Sequence, residues 1–247
     1  MKDILKQHKV DYLWQLPPSI RKQVTKKRIV GVVSDLHIPY AAHGYLQFLT
    51  REFEKRGVTD VVIIGDMIDF NTVSRWGQDP NNKNSVLGEY EKTVREVKRV
   101  IETFPYAYYT MGNHDRRLWS IASGAGIPSK FVKTFEELFG IPETWKIGDS
   151  FIINGVKYLH GDSYGGLYGY RHAPLSNLMS TVFGHAHSNA GVSYIKTHEK
   201  MVFGMNVGSL INEKAVAFNY GKYSRFKSVI SCGVVYNDQH AELIPKV

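Results

Sequence analysis

The sequence predicts an α/β fold organised on a parallel sheet, and three observations carry that expectation. In the first half, short β-branched runs alternate with amphipathic helical stretches, the pattern of parallel strands joined by right-handed crossovers. Each of those runs ends in Asp, Asn or His, and in open α/β sheets sites form beyond the carboxyl ends of the strands. The second half changes to closely spaced short strands, which predicts a β-rich sheet facing the first.

The elements follow in order. Residues 28–35 contain Ile29-Val-Gly-Val-Val-Ser-Asp35, a short apolar run suited to a strand buried on both faces. Leu46, Leu49 and Phe53 then recur at helical spacing. Val61-Val-Ile-Ile-Gly-Asp66 is a second buried strand, and Leu87, Tyr90, Val94, Val97 and Ile101 mark a strongly amphipathic helix. Tyr106 to Met111 is a third strand and leads into Gly112-Asn113-His114-Asp115. A short helix is expected near Phe131 to Phe139. Phe151 to His160 reads as a hairpin turning at Asn154-Gly155, the dipeptide favoured in type I′ turns. Thr181-Val-Phe, Val192 to Lys196, Met201 to Val207, Val229 to Tyr236 and Ala241 to Ile244 complete the strands.

Composition removes several classes. The 247 residues are 43% hydrophobic and include one cysteine, so no intramolecular disulfide and no thiolate metal cluster can form. That cysteine, Cys232, lies in a strand and is expected to be buried. No run is long and apolar enough for a membrane span, and the N-terminus lacks the apolar core of a signal peptide, so the expectation is a cytoplasmic protein. Net charge is +8, and residues 1–28 hold eight Lys or Arg against two Asp, a net +6. The chain therefore divides into a basic N-terminal arm, 1–28, and a nearly neutral domain, 29–247. The arm suits contact with the phosphates of DNA or RNA, while Leu13, Trp14 and Leu16 suggest that part of it packs on the body.

Five clusters punctuate the strands: Asp35-Leu-His37, Gly65-Asp66-Met-Ile-Asp69, Gly112-Asn113-His114-Asp115, His160-Gly-Asp162 and Gly184-His185-Ala-His187. Each alone is a weak signal, but five in order, each behind an apolar strand, is a specific one. Imidazole, carboxylate and amide oxygen suit Mn, Fe, Zn, Co or Ni better than calcium. Two divalent cations over the carboxylates Asp35 and Asp66 leave the site positive, which favours a phosphate ester over a cation or neutral amide. Paired ions can activate water and stabilise both oxygens of an in-line displacement. A histidine can protonate a leaving oxygen, and a carboxylate on its other nitrogen fixes the tautomer.

The order Asp-x-His, Gly-Asp-x-x-Asp, Gly-Asn-His-Asp, His and Gly-His-x-His resembles that of the calcineurin-like metallophosphoesterases, across residues 35–187. The resemblance implies a four-layer α/β/β/α sandwich of two mixed sheets flanked by helices. It implies two divalent ions, Mn²⁺ foremost. One would be held by Asp35, His37, Asp66 and His187, the other by Asp66, Asn113, His160 and His185. His114 would contact the scissile phosphate, with Asp69 orienting it, and a hydroxide bridging the metals would attack.

Arg116 or Arg117 could clamp a phosphate oxygen, Arg116 being taken here, and His43 and His172 lie in loops near the motifs as further substrate contacts. The family's protein phosphatases carry Arg directly after Gly-Asp-x-x-Asp, whereas this chain has Phe70. That departure, the basic arm and the tyrosines of 164–170 favour a phosphodiesterase or nuclease acting on nucleic acid or nucleotides. The polar stretch Asn71 to Ser85 is expected to shape the cleft. The alternatives are a phosphomonoesterase and an inactive metal-binding module.

Overall fold

The computed structural model describes residues 1–73, 84–215, 217–218 and 225–247. Its chain begins with helices α1 (Lys2–Gln7) and α2 (Pro18–Val24), then strand β1 (Ile29–Val33), α3 (Tyr45–Arg56), β2 (Asp60–Ile64), α4 (Val86–Thr103) and β3 (Tyr108–Thr110). There follow α5 (Arg117–Gly124), α6 (Phe135–Phe139), β4 (Lys146–Gly148), the hairpin β5 (Ser150–Ile153) and β6 (Val156–Leu159), α7 (Gly169–Asn177) and β7 (Ser180–Phe183). The chain closes with β8 (Gly191–Lys196), β9 (Met201–Asn206), β10 (Ser231–Tyr236) and β11 (His240–Pro245).

The strands form two sheets, ordered β11-β10-β1-β2-β3-β4 and β5-β6-β7-β9-β8. β1 to β4 are mutually parallel, as the alternating pattern predicts. The Asn154-Gly155 turn joins β5 to antiparallel β6, with φ of 49° and 77° at its two residues, the positive pair that a type I′ turn needs. The last two strands depart from expectation. β10 pairs antiparallel with β1, and β11 with β10, so both extend the first sheet instead of the second.

Period-two alternation places the layers. Val62 and Ile64 point into a core shared with Tyr158, Val182, Phe203 and Met205 of the facing sheet. Val61 and Ile63, on the opposite face, pack with Leu49 and Phe53 of α3, Val97 and Val100 of α4, and Phe135 and Phe139 of α6. The outer face of the second sheet is covered by α7, which is the fourth layer. The arm is docked: Trp14 is 1% exposed, packs edge-on to Phe53 and donates its indole N–H to the Thr103 carbonyl. Cys232 is fully buried, as expected, and burial pushes its thiol up to about 12. Among the described residues, no helix is long and apolar enough to cross a membrane.

Contact between α7 and β9 depends on Gly204, where an added Cβ would stand 1.9 Å from the Tyr170 carbonyl oxygen. That neighbour is backbone and cannot rotate away, so overpacking there is costly. Gly204→Ala should destabilise the fold by about 1–3 kcal/mol, read as a lower urea midpoint at unchanged slope; an unchanged midpoint would show that α7 does not seat as described.

Candidate metal and phosphate site

The carboxyl ends of β1, β2 and β3, the end of β6 and the loop after β7 converge on one pocket. Backbone conformation is the first sign that these loops are specialised. Asp35, His37, Asp66 and His185 all have φ between 46° and 64°, a left-handed region that costs a non-glycine residue of order 1–3 kcal/mol. A close approach also sets the geometry: a Cβ on Gly112 would lie 2.1 Å from Asp66 Oδ1, so only glycine lets the third loop reach the second.

All seven predicted ligands lie together. Asp35 Oδ1 stands 3.0 Å from His187 Nε2 and 3.7 Å from His37 Nε2. Asp66 Oδ2 stands 3.3 Å from His160 Nε2 and 3.7 Å from His37 Nε2, so Asp66 lies between the two groups. His160 Nε2 in turn faces Asn113 Oδ1 at 3.0 Å and His185 Nδ1 at 3.1 Å. Asp35, His37 and His187 present mutually close ligand atoms, and so do Asp66, His160 and His185.

These residues fit a pair of divalent cations. His37 Nε2 is buried, has no hydrogen-bond partner, and points between carboxylates of both groups. Donor atoms 3.0–3.7 Å apart are spaced as neighbours around one cation with bonds near ~2.1 Å. His160 Nδ1 lies 3.1 Å from the Ile64 carbonyl oxygen and donates to it, which leaves Nε2 to face the other donors.

Three carboxylates, Asp35, Asp66 and Asp69, are at most 2% exposed, and this shapes the titration of the pocket. Burial alone would raise the Asp35 carboxyl, but His187 and His37 hold it well below the usual carboxylate range. Burial likewise opposes the ionised forms of Asp66 and Asp69, and the neighbouring imidazoles outweigh it in both. Burial would lower His37 and His160, yet the neighbouring carboxylates of Asp35 and Asp69 raise His37 to about 10, and that of Asp66 raises His160 to about 10. Without metal, two imidazoliums thus supply the positive charge that the carboxylates need. His185 is lowered, by burial and then by His160.

His114, the predicted proton donor, lies beside Asp69. His114 Nδ1 lies 2.7 Å from Asp69 Oδ1, and the same oxygen is 3.1 Å from His37 Nδ1. Asp69 Oδ1 therefore contacts His37 and His114 together. Asp115 accepts the backbone N–H of Ile68 and of Gly112, which staples the second and third loops; burial and then the Asp66 charge raise its carboxyl.

The predicted substrate contacts fare differently. Arg116 turns its guanidinium to the Met111 carbonyl, with Asp149 and Asp162 each 3.9 Å away. Arg117 is the arginine at the donor: its Nη2 is 2.9 Å from His114 Nε2, and its Nη1 donates to the carbonyls of Asp69 and Phe70. His43 is exposed and lines a separate groove between α3 and α4 with Lys92 and Arg95, and His172 is exposed on α7. Asp162 is half exposed. Tyr164 packs on Phe183, whereas Tyr168 is exposed. Residues 74–83 of the polar segment lie outside the described residues. Glu89, absent from the sequence reading, is fully buried and accepts the backbone N–H of Asn71 and Thr72, which anchors the chain just past Phe70.

A family described as calcineurin-like phosphoesterase matches residues 29–229. The gene 54 protein of Mycobacterium phage L5 is 28% identical over 90% of this chain and 94% of its own. Among solved structures, Vacuolar Protein Sorting 29 from Cryptosporidium parvum covers 89% of this chain and 97% of its own at 11% identity and a TM-score of 0.44. The phosphoesterase YfcE from E. coli covers 88% and 98% at 15% identity and a TM-score of 0.41. Nuclease MPE of Pseudomonas putida covers 88% and 87% at 12% identity and a TM-score of 0.40.

The titration has a testable sign. His37 and His160 are raised to about 10 in the folded, metal-free chain from the ordinary histidine value of 6.5. Their stabilisation is complete below the unfolded value and is lost as pH rises toward 10. In chelator, the melting temperature should fall between pH 7 and pH 10, and saturating Mn²⁺ should remove most of that fall by taking over the positive charge. A metal-free melting temperature that stays flat over this range contradicts the assignment.

Proposed function

The chain belongs to the calcineurin-like phosphoesterase family, metal-dependent hydrolases of phosphate esters, and from that premise we propose that it is a phosphodiesterase acting on nucleic acid or nucleotides. Asp35, His37, Asp66 and His187 would hold one divalent cation, and Asp66, Asn113, His160 and His185 the other, with Mn²⁺ the favoured metal and Fe, Zn, Ni or Co compatible with the same donors. When bound, the cations neutralise phosphoryl oxygens and acidify a water.

The chain's own residues supply the rest. Asp69 fixes His114 with Nδ1 toward the carboxylate, so Nε2 is the nitrogen that serves the leaving oxygen. Arg117 donates an N–H to that same Nε2. A phosphoryl oxygen that accepts from Arg117 instead frees Nε2 to carry a proton, so substrate arrival prepares the acid. This makes Arg117 a substrate contact and Arg116 a support for the end of β3.

The observation that carries the diester reading is the poverty, among the described residues, of uncommitted cationic side chains beside His114. Among the described residues, the Arg117 guanidinium already serves two backbone carbonyls and His114, and Phe70 is buried where the family's protein phosphatases carry arginine. A monoester brings more negative charge and loses more from that lack. Arg117 itself is what favours the second reading, a phosphomonoesterase, because a guanidinium matches a terminal phosphoryl group well.

The test is hydrolysis of an aryl phosphodiester and of the matching aryl monoester in Mn²⁺. Turnover should require the metal and favour the diester. His114→Ala should lower kcat by about 10²-fold or more, the usual size of a general-acid contribution. Arg117→Ala should lower kcat/KM by roughly tenfold or more, the loss of one charge-assisted hydrogen bond, and Arg116→Ala should do much less. Faster monoester turnover would replace the diester reading with the monoester one; equal rates for wild type and His114→Ala would remove the assigned donor.

A further inference from the structure

The basic arm does not reach the metal pocket. It docks at the opposite end of the first sheet, where β1 to β4 begin, and there it closes one wall of a cleft of about 460 Å³. Arg28 immediately precedes β1, while Asp60, Tyr108 and Lys146 open β2, β3 and β4. Asp35 follows the far end of β1, so the cleft lies on the order of 20 Å from the metal pocket at about 3.3 Å per strand residue.

The cleft is built for an anion. Its lining carries six Lys or Arg and a single carboxylate, Asp60. That carboxylate is already matched by Arg28 at 3.1 Å and Arg21 at 3.6 Å. Lys22, Lys26, Lys27 and Lys146 are exposed, and none of them forms an ion pair among the described residues. Arg21 lies in the wall, 5% exposed, donating to the Thr59 carbonyl and with its Nε unpartnered. Two tyrosines hold the cations in place. Arg28 donates to the Tyr108 hydroxyl, Lys146 Nζ sits 5.4 Å from the Tyr108 ring centre, and Arg21 sits 5.8 Å from that of Tyr106.

We propose that this cleft is a second binding site, one that grips the phosphodiester backbone of a nucleic acid strand remote from the metal pocket. Several unpaired cations along one concave wall suit a repeating anion, and a positively charged groove that tracks a backbone is the common device of sequence-tolerant nucleic-acid binding. With Tyr108 already engaged by Arg28 and Lys146, the contacts offered are to phosphate, so binding is independent of sequence. The site raises the local concentration of long substrates and has no influence on a small diester, whose only contact is the metal pocket.

The test uses the Mn²⁺-loaded protein in a His114→Ala background, which suppresses turnover, and labelled oligonucleotides of single-stranded and duplex form read by fluorescence anisotropy. Combined Lys22→Glu, Lys26→Glu and Lys27→Glu should weaken binding by about tenfold or more at low salt. It should also lower the slope of log affinity against log salt by about 2, since each lost phosphate contact on a single strand is worth about 0.7. The same three substitutions in the otherwise native enzyme should leave aryl diester turnover unchanged, which also shows that the fold is intact. Loss on either nucleic acid supports the backbone site, and the larger loss identifies the preferred form. Unchanged affinity and slope on both overturn the site while leaving the diesterase reading untouched, and absent diester turnover with intact oligonucleotide loss does the reverse.

Discussion

Three carboxylates buried beside one another set the terms for this molecule. Asp35, Asp66 and Asp69 lie within hydrogen-bonding or near-contact reach of the same histidine, His37, and each is at most 2% exposed. Buried anions at such spacing are costly unless matched by positive charge. Imidazoliums can provide it, and divalent cations provide it more fully. The family's metal dependence and the local architecture therefore express one electrostatic requirement.

The fold bears the cost of that arrangement in the backbone. Parallel strands deliver Asp35, Asp66 and Asn113 to one edge, and the loops must then curl sharply to bring the side chains together. Left-handed residues, a glycine at the closest crossing and the Asp115 staple hold those loops in conformations that they would not adopt alone. Glu89 and Arg117 brace the second loop further along, one from α4 and one from α5. His114 depends on this bracing, because Asp69 approaches it from that loop and Arg117, itself bonded to the loop carbonyls, approaches it from α5.

Much of this was legible in residue order. Five polar clusters behind apolar strands marked the pocket, because a strand delivers its terminal residues to a predictable edge and the donor types narrowed the metal chemistry. What escaped reading has physical reasons. β4 is three residues at a sheet edge, Lys146 to Gly148, with no apolar run to announce it. β10 and β11 are short strands like those of the second sheet, and only the partner β1 assigns them to the first sheet. Arg116 and Arg117 are adjacent at the start of α5, where one residue is a turn of about 100°; sequence proximity to His114 therefore could not say which one meets it. Length and charge identified the arm, but its direction along the sheet was decided by the burial of Trp14 and the Arg21 contact with Thr59.

Central to the proposed function is the sharing of two divalent cations by the buried carboxylates through Asp66. Metal content after equilibrium dialysis against Mn²⁺, measured by elemental analysis on wild type and on Asp66→Asn, addresses it most directly. Two ions per chain in wild type and a clear loss in the variant are the predicted result. Fewer than one ion per wild-type chain, or a variant that keeps the full complement, would contradict it.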